Sequence, residues 1–157
     1  MGLTLLRRRQ NTEVTHPADL GAFDERYNAY FPRLFAYVHS CVGGEIPAED
    51  IVIQAFSHAF RHPSSADEDR FRTILFRTAR RLCRPALKQA TGDGDDPLNP
   101  REREILSLVF DAGLTREQIA QLFRIRQSTV STLLMTGLRK LKEQTSPAAA
   151  AAYLKLA

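Results

Sequence analysis

The stretch from Leu98 to Lys142 constrains the fold of this chain most, because residues that begin and end helices stand in it at short intervals. Pro100 suits the first turn of a helix, where the backbone N–H groups have no partner in any case. The residues Asp111–Gly113 break that helix. Thr115 and Gln118 then form the pattern of a capping box, which begins a second helix. The stretch therefore predicts two helices separated by a short break.

A third helix follows after a turn, residues 124–126, and begins near Gln127. One side of it is apolar at spacings of three and four residues, with Val130, Leu133, Leu134, Gly137, Leu138 and Leu141. The other side carries Ser128, Thr132, Met135, Arg139 and Lys142. Two short helices joined by such a turn form a helix-turn-helix, which presents the start of its second helix to the DNA major groove. An ordinary helical hairpin has the same buried stripe, so periodicity alone leaves both interpretations open.

The chain of 157 residues divides into two helical modules joined by a linker. An N-terminal module is predicted over residues 21–90 and a C-terminal module over residues 98–143. Between them, residues 91–97 are acidic and rich in helix-breaking residues. A polar arm, residues 1–20, is expected to be mobile, and an alanine-rich tail, residues 144–157, follows the second module. The expected fold class is all-α, with two small helical domains, the C-terminal one a helix-turn-helix.

Composition and isolated residues exclude several classes of function. The net charge of +4 and the pI near 9.4 fit a nucleic-acid partner without requiring one. No apolar run approaches the roughly 18 residues of a membrane span, so we expect a soluble cytoplasmic protein. Cys41 and Cys83 stand singly in helical patterns, which favours buried structural thiols. His58 and His62 lack a third ligand nearby, and no catalytic pattern is present, so neither a metal, a cofactor nor an enzyme is expected.

Three helices are predicted in the N-terminal module, over about residues 23–41, 47–62 and 69–90. The third carries a basic stripe on one edge, formed by Arg70, Arg77, Arg81, Arg84 and Lys88. Such a row can follow a phosphate backbone and adds salt-sensitive affinity without sequence information. The alternative is a solvated face balanced by the acidic residues 67–69. Because these acids precede the helix and do not run along it, we favour a nucleic-acid surface.

Both modules resemble parts of bacterial sigma factors of the extracytoplasmic-function class, in the same order. The C-terminal segment, from PREREIL to LRKLK, is similar to their DNA-binding domain, and Phe110–Thr115 has the spacing of that domain. In the N-terminal module, three segments resemble the opening, core-binding and promoter-opening helices of the polymerase-binding domain: FDERYNAYFPRLFAYV, PAEDIVIQAFSHAFR and FRTILFRTARRLCRPALKQ. The resemblance covers most of residues 23–143.

The resemblance implies two sets of binding residues. Contacts to the RNA polymerase core fall to Glu49, Asp50, Ile53 and Gln54. Contacts to promoter DNA in the N-terminal module fall to Arg72, Arg77, Arg80, Arg81, Arg84 and Lys88. In the C-terminal module the expected phosphate contacts are Arg124, Arg126, Arg139 and Lys140. The expected base readers there are Gln127, Ser128, Ser131 and Thr132.

The N-terminal module departs from the family pattern at two places. The core-binding helix of the family usually carries Asp-x-x-Gln-Glu, whereas Ile53 and Gln54 stand in the last two positions here. If Ile53 is exposed, its apolar surface needs a partner. Ile74 replaces a typical tryptophan of the promoter-opening helix, which leaves stacking on an unpaired base to Phe71 or Phe76 if either is exposed.

Further departures affect the reach and the DNA contacts of the chain. Pro85 lacks a backbone N–H and is expected to kink or end the third helix near Arg81. Ser131 and Leu133 stand where the family tends to have Lys and Arg, so we expect weak or shape-led reading of bases.

The linker between the modules reaches at most roughly 28 Å, whereas the two promoter boxes of the family lie on the order of 70 Å apart along DNA. The modules either span that distance with little slack or pack against each other in a closed form.

The resemblance implies a sigma factor that directs RNA polymerase core to promoters, with an anti-sigma factor as a usual further partner. The alternative is a sigma-like protein that binds an anti-sigma factor or the polymerase without reading promoters, which the depleted recognition helix favours. A stand-alone repressor or activator that uses only the helix-turn-helix would instead dimerise on a palindromic DNA site.

Overall fold

The computed structural model describes residues 17–44, 46–89 and 96–144. The chain forms two compact units, residues 1–30 and 31–157. Regular structure in the described residues is entirely helical: α1 (Pro17–Val42), α2 (Ala48–Arg61), α3 (Glu68–Gln89), α4 (Pro100–Phe110), α5 (Arg116–Phe123) and α6 (Gln127–Gln144). The prediction of an all-α fold with a C-terminal helix-turn-helix is confirmed.

The first unit contains the N-terminal part of α1, which begins earlier than predicted, at Pro17. Phe23 and Tyr27 lie one turn apart there, and their rings stack with centroids 6.0 Å apart. Such a pair stabilises its turn of helix modestly. Most of the predicted arm, linker and tail lies outside the described residues, so those predictions concern segments whose structure is not described.

In the second unit, α2 packs against α3 through one apolar face. The buried residues of α2 are Ala48, Ile51, Val52, Ala55, Phe56 and Ala59. Phe60 at the end of α2 meets Phe71 at the start of α3, with ring centroids 4.7 Å apart. After α2 ends at Arg61, the ring Nδ1 of His62 accepts a hydrogen bond from the backbone N–H of Ser64. This histidine therefore holds the turn that follows the helix.

Pro85 was expected to kink or end the helix near Arg81, and the second of these effects is wrong, because α3 continues through Pro85 to Gln89. Proline removes one intrahelical hydrogen bond, but it stands near the end of α3 where few residues follow. Leu75, Ala79 and Cys83 are fully buried and hold the helix in the core up to the turn that contains the proline. Tertiary packing thus outweighs the local cost of the missing bond.

Both helices of the C-terminal module that begin with a capping pattern have the predicted start. Asn99 accepts a hydrogen bond from the backbone of Glu102 at 2.8 Å, and the Glu102 carboxylate accepts one from the backbone of Asn99 at 3.1 Å. Thr115 and Gln118 form the same reciprocal pair before α5. Each box satisfies two backbone N–H groups that no intrahelical carbonyl reaches. The start of α4 at Pro100 is confirmed.

The breaks between these helices use left-handed backbone. Gly113 has φ +67°, which glycine adopts without a steric cost. Arg124, in the turn between α5 and α6, has φ 56° and ψ 46°, a conformation that costs a residue with a side chain roughly 1 kcal/mol or more. The turn that precedes α6 is therefore strained at an arginine.

α4 and α6 approach each other closely at Gly137. A Cβ built at this position would lie 3.1 Å from Cδ1 of Leu106, so the absence of a side chain permits the contact. Next to it, Lys140 donates to both carboxylate oxygens of the buried Glu102 at 2.9 Å. Glycine inside a helix is a poor choice for local stability, and this packing explains its presence.

No helix in the described residues is long and apolar enough to cross a membrane.

Candidate polymerase and DNA interfaces

The four residues that the resemblance assigns to polymerase binding lie together on one exposed face of α2. Glu49, Asp50, Ile53 and Gln54 are all exposed, and we call this set the α2 face. The two carboxylates stand in the first turn of the helix, where the helix dipole favours negative charge. Ile53 is an apolar residue with 50% of its surface exposed. The α2 face thus combines negative charge with apolar surface.

The arginines of α3 do not form one uniform stripe. Arg81 and Arg84 are exposed. Arg72 is half-buried and forms an ion pair of 2.7 Å with Asp69. The side chain of Lys88 lies outside the described residues, although its backbone belongs to α3. The exposed positive charge described on this helix belongs to Arg70, Arg77, Arg81 and Arg84.

Arg77 and Arg80 face the C-terminal module. The Nε atom of Arg80 lies 2.5 Å from Oε1 of Glu104 in α4, and its guanidinium lies 4.4 Å from the ring centroid of Phe123 in α5. Nη2 of Arg77 donates to the carbonyl oxygen of Gln121 at 3.5 Å. Arg80 is therefore committed to a contact inside the protein, which does not suit binding to a phosphate.

Glu104 is the centre of this contact. It is buried, with 7% of its surface exposed, and accepts a hydrogen bond of 3.0 Å from the Tyr37 hydroxyl in α1 as well as the bond from Arg80. We call Tyr37, Arg80 and Glu104 the Glu104 junction. Burial raises the pKa of Tyr37 well above its ordinary value, and the nearby charges of Cys41 and Glu104 act in the same direction. The hydroxyl therefore stays protonated and remains a donor to the carboxylate.

A second contact between the modules joins α1 to the break after α4. Nε of Arg33 donates to the carbonyl oxygen of Ala112 at 2.6 Å, and Nη2 donates to that of Gly113 at 3.3 Å. These carbonyls lie where the helix has ended and no intrahelical partner is available. Together with the Glu104 junction, this contact gives the closed arrangement that the short linker left open as an alternative.

At the start of α6, the side chains predicted to approach DNA are largely exposed. Arg126, Gln127 and Ser128 are exposed, as is Arg124 in the strained turn. Ser131 is half-buried, and its hydroxyl accepts a hydrogen bond of 3.2 Å from Nη1 of Arg116.

Farther along α6, the Thr132 hydroxyl donates to the Ser128 carbonyl oxygen at 2.9 Å within the helix. Arg139 is exposed, whereas Lys140 is half-buried and paired with Glu102. Lys140 therefore supports the packing of α4 on α6.

The two phenylalanines considered for stacking on an unpaired base are both core residues. Phe71 is 0% exposed and Phe76 is 1% exposed. The ring of Phe76 packs on Tyr37, with centroids 6.2 Å apart. Neither ring can stack on a base in this arrangement.

The sequence did not reveal that Arg33, Tyr37 and Glu104 form the contacts between the two modules. Their hydrogen bonds join residues 79 and 67 positions apart in the chain, which no local pattern reveals. One signal was present: Glu104 directly precedes Ile105 and stands one turn before Leu108, both fully buried. A charge inside a buried stripe requires a partner.

Comparison with protein families matches two segments of the chain. Residues 26–92 match the family model described as Sigma-70 region 2, and residues 96–143 match the one described as Sigma-70, region 4. A search of curated proteins found no significant match. The first match contains the α2 face, and the second contains the helix-turn-helix. With both regions in one chain of 157 residues, the protein belongs to the sigma-70 family and fits a small extracytoplasmic-function sigma factor that directs RNA polymerase to promoters.

Proposed function

We propose that this sigma factor binds the RNA polymerase core through the α2 face and promoter DNA through exposed basic residues of both modules. The observation that carries the proposal is the placement of Glu49, Asp50, Ile53 and Gln54 on one exposed helix face. The opposite side of the same helix is buried, so α2 is held firmly while it presents that face. In the family this helix meets a basic coiled coil on the polymerase clamp, to which two carboxylates are complementary.

The DNA contacts that we propose are five of the exposed arginines of α3 and of the C-terminal module, which we call the basic surface: Arg81, Arg84, Arg124, Arg126 and Arg139. They supply affinity through phosphates and little sequence discrimination. Base reading then falls to Gln127 and Ser128 at the start of α6 and to the hydroxyls of Ser131 and Thr132 once they exchange their partners within the protein. Arg80 and Lys140 lie outside this surface because each is paired with a buried glutamate.

Binding to both promoter boxes requires the modules to separate. In the closed arrangement Arg33, Tyr37 and Arg80 of the N-terminal module all contact the C-terminal module. The family's two promoter boxes lie on the order of 70 Å apart along DNA, about two turns of the double helix. We therefore propose that the closed arrangement belongs to the free protein and opens when polymerase or DNA binds.

The remaining parts of the proposal concern location and partners. We propose that the protein acts in the bacterial cytoplasm, where the polymerase is, and carries out no covalent chemistry itself.

We further propose that an anti-sigma factor covers the outer side of α6. A shallow groove lies there around Met135, whose side chain is 66% exposed, and part of the basic surface borders it. A protein bound in this groove would exclude DNA from the recognition helix.

Titration with purified polymerase core tests the function. Fluorescently labelled protein should bind the core saturably at moderate salt, and an unlabelled sigma factor of established activity should displace it, because both require the same clamp surface. Absence of binding would contradict the proposal. Binding without displacement would place the contact elsewhere on the polymerase and equally contradict it.

The basic surface predicts a change in salt dependence. Replacing Arg81 and Arg84 together by glutamine removes two exposed charges, so the slope of log affinity against log salt should fall by about 1.8. At 0.1 M salt this corresponds to an affinity loss on the order of 10- to 100-fold. The measurement is fluorescence anisotropy with a duplex of mixed sequence at several salt concentrations.

A matched control variant also loses two positive charges, but at positions outside the basic surface. Arg61→Gln with Arg103→Gln changes one residue at the end of α2 and one that forms an ion pair with Asp96. This variant should keep the wild-type slope. An equal decrease in both double variants would mean that net charge alone governs binding, and the assignment of the basic surface would then be wrong.

A further inference from the structure

Arg116, the first residue of α5, contacts the second turn of the recognition helix α6. Its Nη1 atom donates a hydrogen bond of 3.2 Å to the hydroxyl of Ser131, a residue 15 positions farther along the chain. The capping box of Thr115 and Gln118 fixes the backbone from which the arginine projects. A guanidinium is thereby held against the part of α6 that carries the proposed base readers.

The face of α6 around this contact lacks a strong reader of guanine. No basic residue occurs in α6 before Arg139. Gln127 lies one turn before Ser131 and shares its face of the helix. Glutamine pairs best with adenine, and a serine hydroxyl does not discriminate between bases. Guanine presents two neighbouring acceptors in the major groove, N7 and O6, and the planar fork of an arginine matches them.

We propose that Arg116 reads a guanine of the promoter beside Ser131, although it belongs to α5 and not to the recognition helix. The inference rests on the proposed binding of α6 to DNA. Arg116 is exposed and Ser131 is half-buried, so DNA can reach both side chains. The first turns of a recognition helix lie over base edges. A guanidinium bonded to a side chain of those turns is therefore placed at a base edge and not only at the phosphate backbone.

The hydrogen bond between Arg116 and Ser131 brings the two side chains to the same base pair. The guanidinium has five N–H donors, of which this bond engages one. A base that takes over the Ser131 hydroxyl releases that donor at the same position. The arginine then supplies the discrimination between bases that the hydroxyl lacks.

Selection from a pool of random duplexes tests the assignment. Full-length wild type and Arg116→Ala are each incubated with labelled duplexes that contain a randomised segment, bound DNA is separated on a native gel, and both pools are sequenced. Wild type should enrich sequences with guanine at one position of the site. Arg116→Ala should enrich the same site without a preference at that position, because the other contacts remain.

Three variants quantify the effect on the enriched duplex and on a copy with adenine in place of that guanine. Wild type should bind the guanine duplex roughly 5- to 150-fold more tightly, and Arg116→Ala should bind both duplexes equally. Arg116→Lys keeps the charge without the planar fork and should also lose the preference. Arg139→Gln removes an exposed charge of the basic surface and should weaken binding to both duplexes by the same factor. Circular dichroism establishes that each variant is folded.

Three results would overturn the assignment of Arg116. If Arg116→Ala weakens binding to both duplexes by one common factor, the arginine contacts a phosphate. If it keeps the guanine preference of wild type, another residue reads that base. The absence of any guanine preference in wild type contradicts the assignment equally. The titration with polymerase core tests the sigma-factor function without this DNA, so a failure of that function is distinguished from a wrong assignment of Arg116.

Discussion

Replacing Asp50 by arginine should weaken binding to the polymerase core by at least about 100-fold, which corresponds to roughly 3 kcal/mol. Asp50 is exposed in the first turn of α2, in the middle of the α2 face. Its proposed partner on the polymerase is basic, so the substitution places two positive charges against each other, and like charges at an interface cost several kcal/mol. The measurement is the fluorescence titration with purified core, at one moderate salt concentration.

Two variants separate this effect from simpler ones. Glu143→Arg changes the net charge by the same amount at an exposed position near the end of α6 and should bind the core as wild type does. Asp50→Asn removes the charge without reversing it and should have an intermediate affinity. The loss of a favourable helix-dipole contact is worth at most about 1 kcal/mol at this position, so α2 should remain folded.

The outcome for Asp50→Arg assigns the contact. Suppose that wild type binds the core saturably and is displaced by the established sigma factor, and that Asp50→Arg binds with the same affinity. The sigma-factor function would then still hold, but α2 would not be the contact with the polymerase. A similar loss in Glu143→Arg would attribute the effect to net charge.

Replacing Glu104 by glutamine should reduce the free energy of unfolding by about 2–3 kcal/mol and separate the two modules. The substitution keeps the size of the side chain but removes the negative charge that pairs with Arg80 at 2.5 Å. Removing one partner of a fully buried ion pair costs roughly 3–5 kcal/mol, and a value at or slightly below the lower limit is expected here because the Arg80 side chain is 27% exposed. The measurements are urea unfolding for stability and small-angle X-ray scattering for separation, seen as a larger radius of gyration.

Glu102→Gln is the matched control for this prediction. Glu102 is also buried and paired with a cation, Lys140, but both residues belong to the C-terminal module. Glutamine still completes the capping box with Asn99, because its amide oxygen accepts the same backbone hydrogen bond. This variant should lose stability without a change in the radius of gyration. If Glu104→Gln has the scattering profile of wild type, the Glu104 junction does not hold the modules together.

The features that the sequence predicted correctly depend on neighbours along the chain. The boundaries at Pro100 and Thr115 follow from capping side chains that bond to backbone groups a few residues away. Bonds of this kind require no knowledge of the tertiary arrangement. The exposure of Ile53 was left open by the sequence, and it depends on which side of α2 is buried in the folded protein.

The features that the sequence did not predict depend on contacts between distant segments. Arg80 belongs to the same basic helix as Arg81, and only the position of α4 distinguishes an arginine paired with Glu104 from one that is exposed. Lys140 was expected to contact phosphates for the same reason, since its pairing with Glu102 spans 38 residues. The passage of α3 through Pro85 likewise reflects core packing that outweighs a local preference.

If polymerase and promoter DNA both require the open form, as proposed, the Glu104 junction also makes the two binding events of the protein interdependent. If opening costs about 2–3 kcal/mol, a ligand that binds only the open form has its apparent affinity lowered by roughly 30- to 150-fold. Whichever of polymerase and DNA binds first removes that cost for the other, and by thermodynamic reciprocity each increases the affinity of the other by the same factor. The free protein would then bind the excess of non-promoter DNA in the cell more weakly than the polymerase-bound protein does, because the buried Glu104 carboxylate favours the closed arrangement.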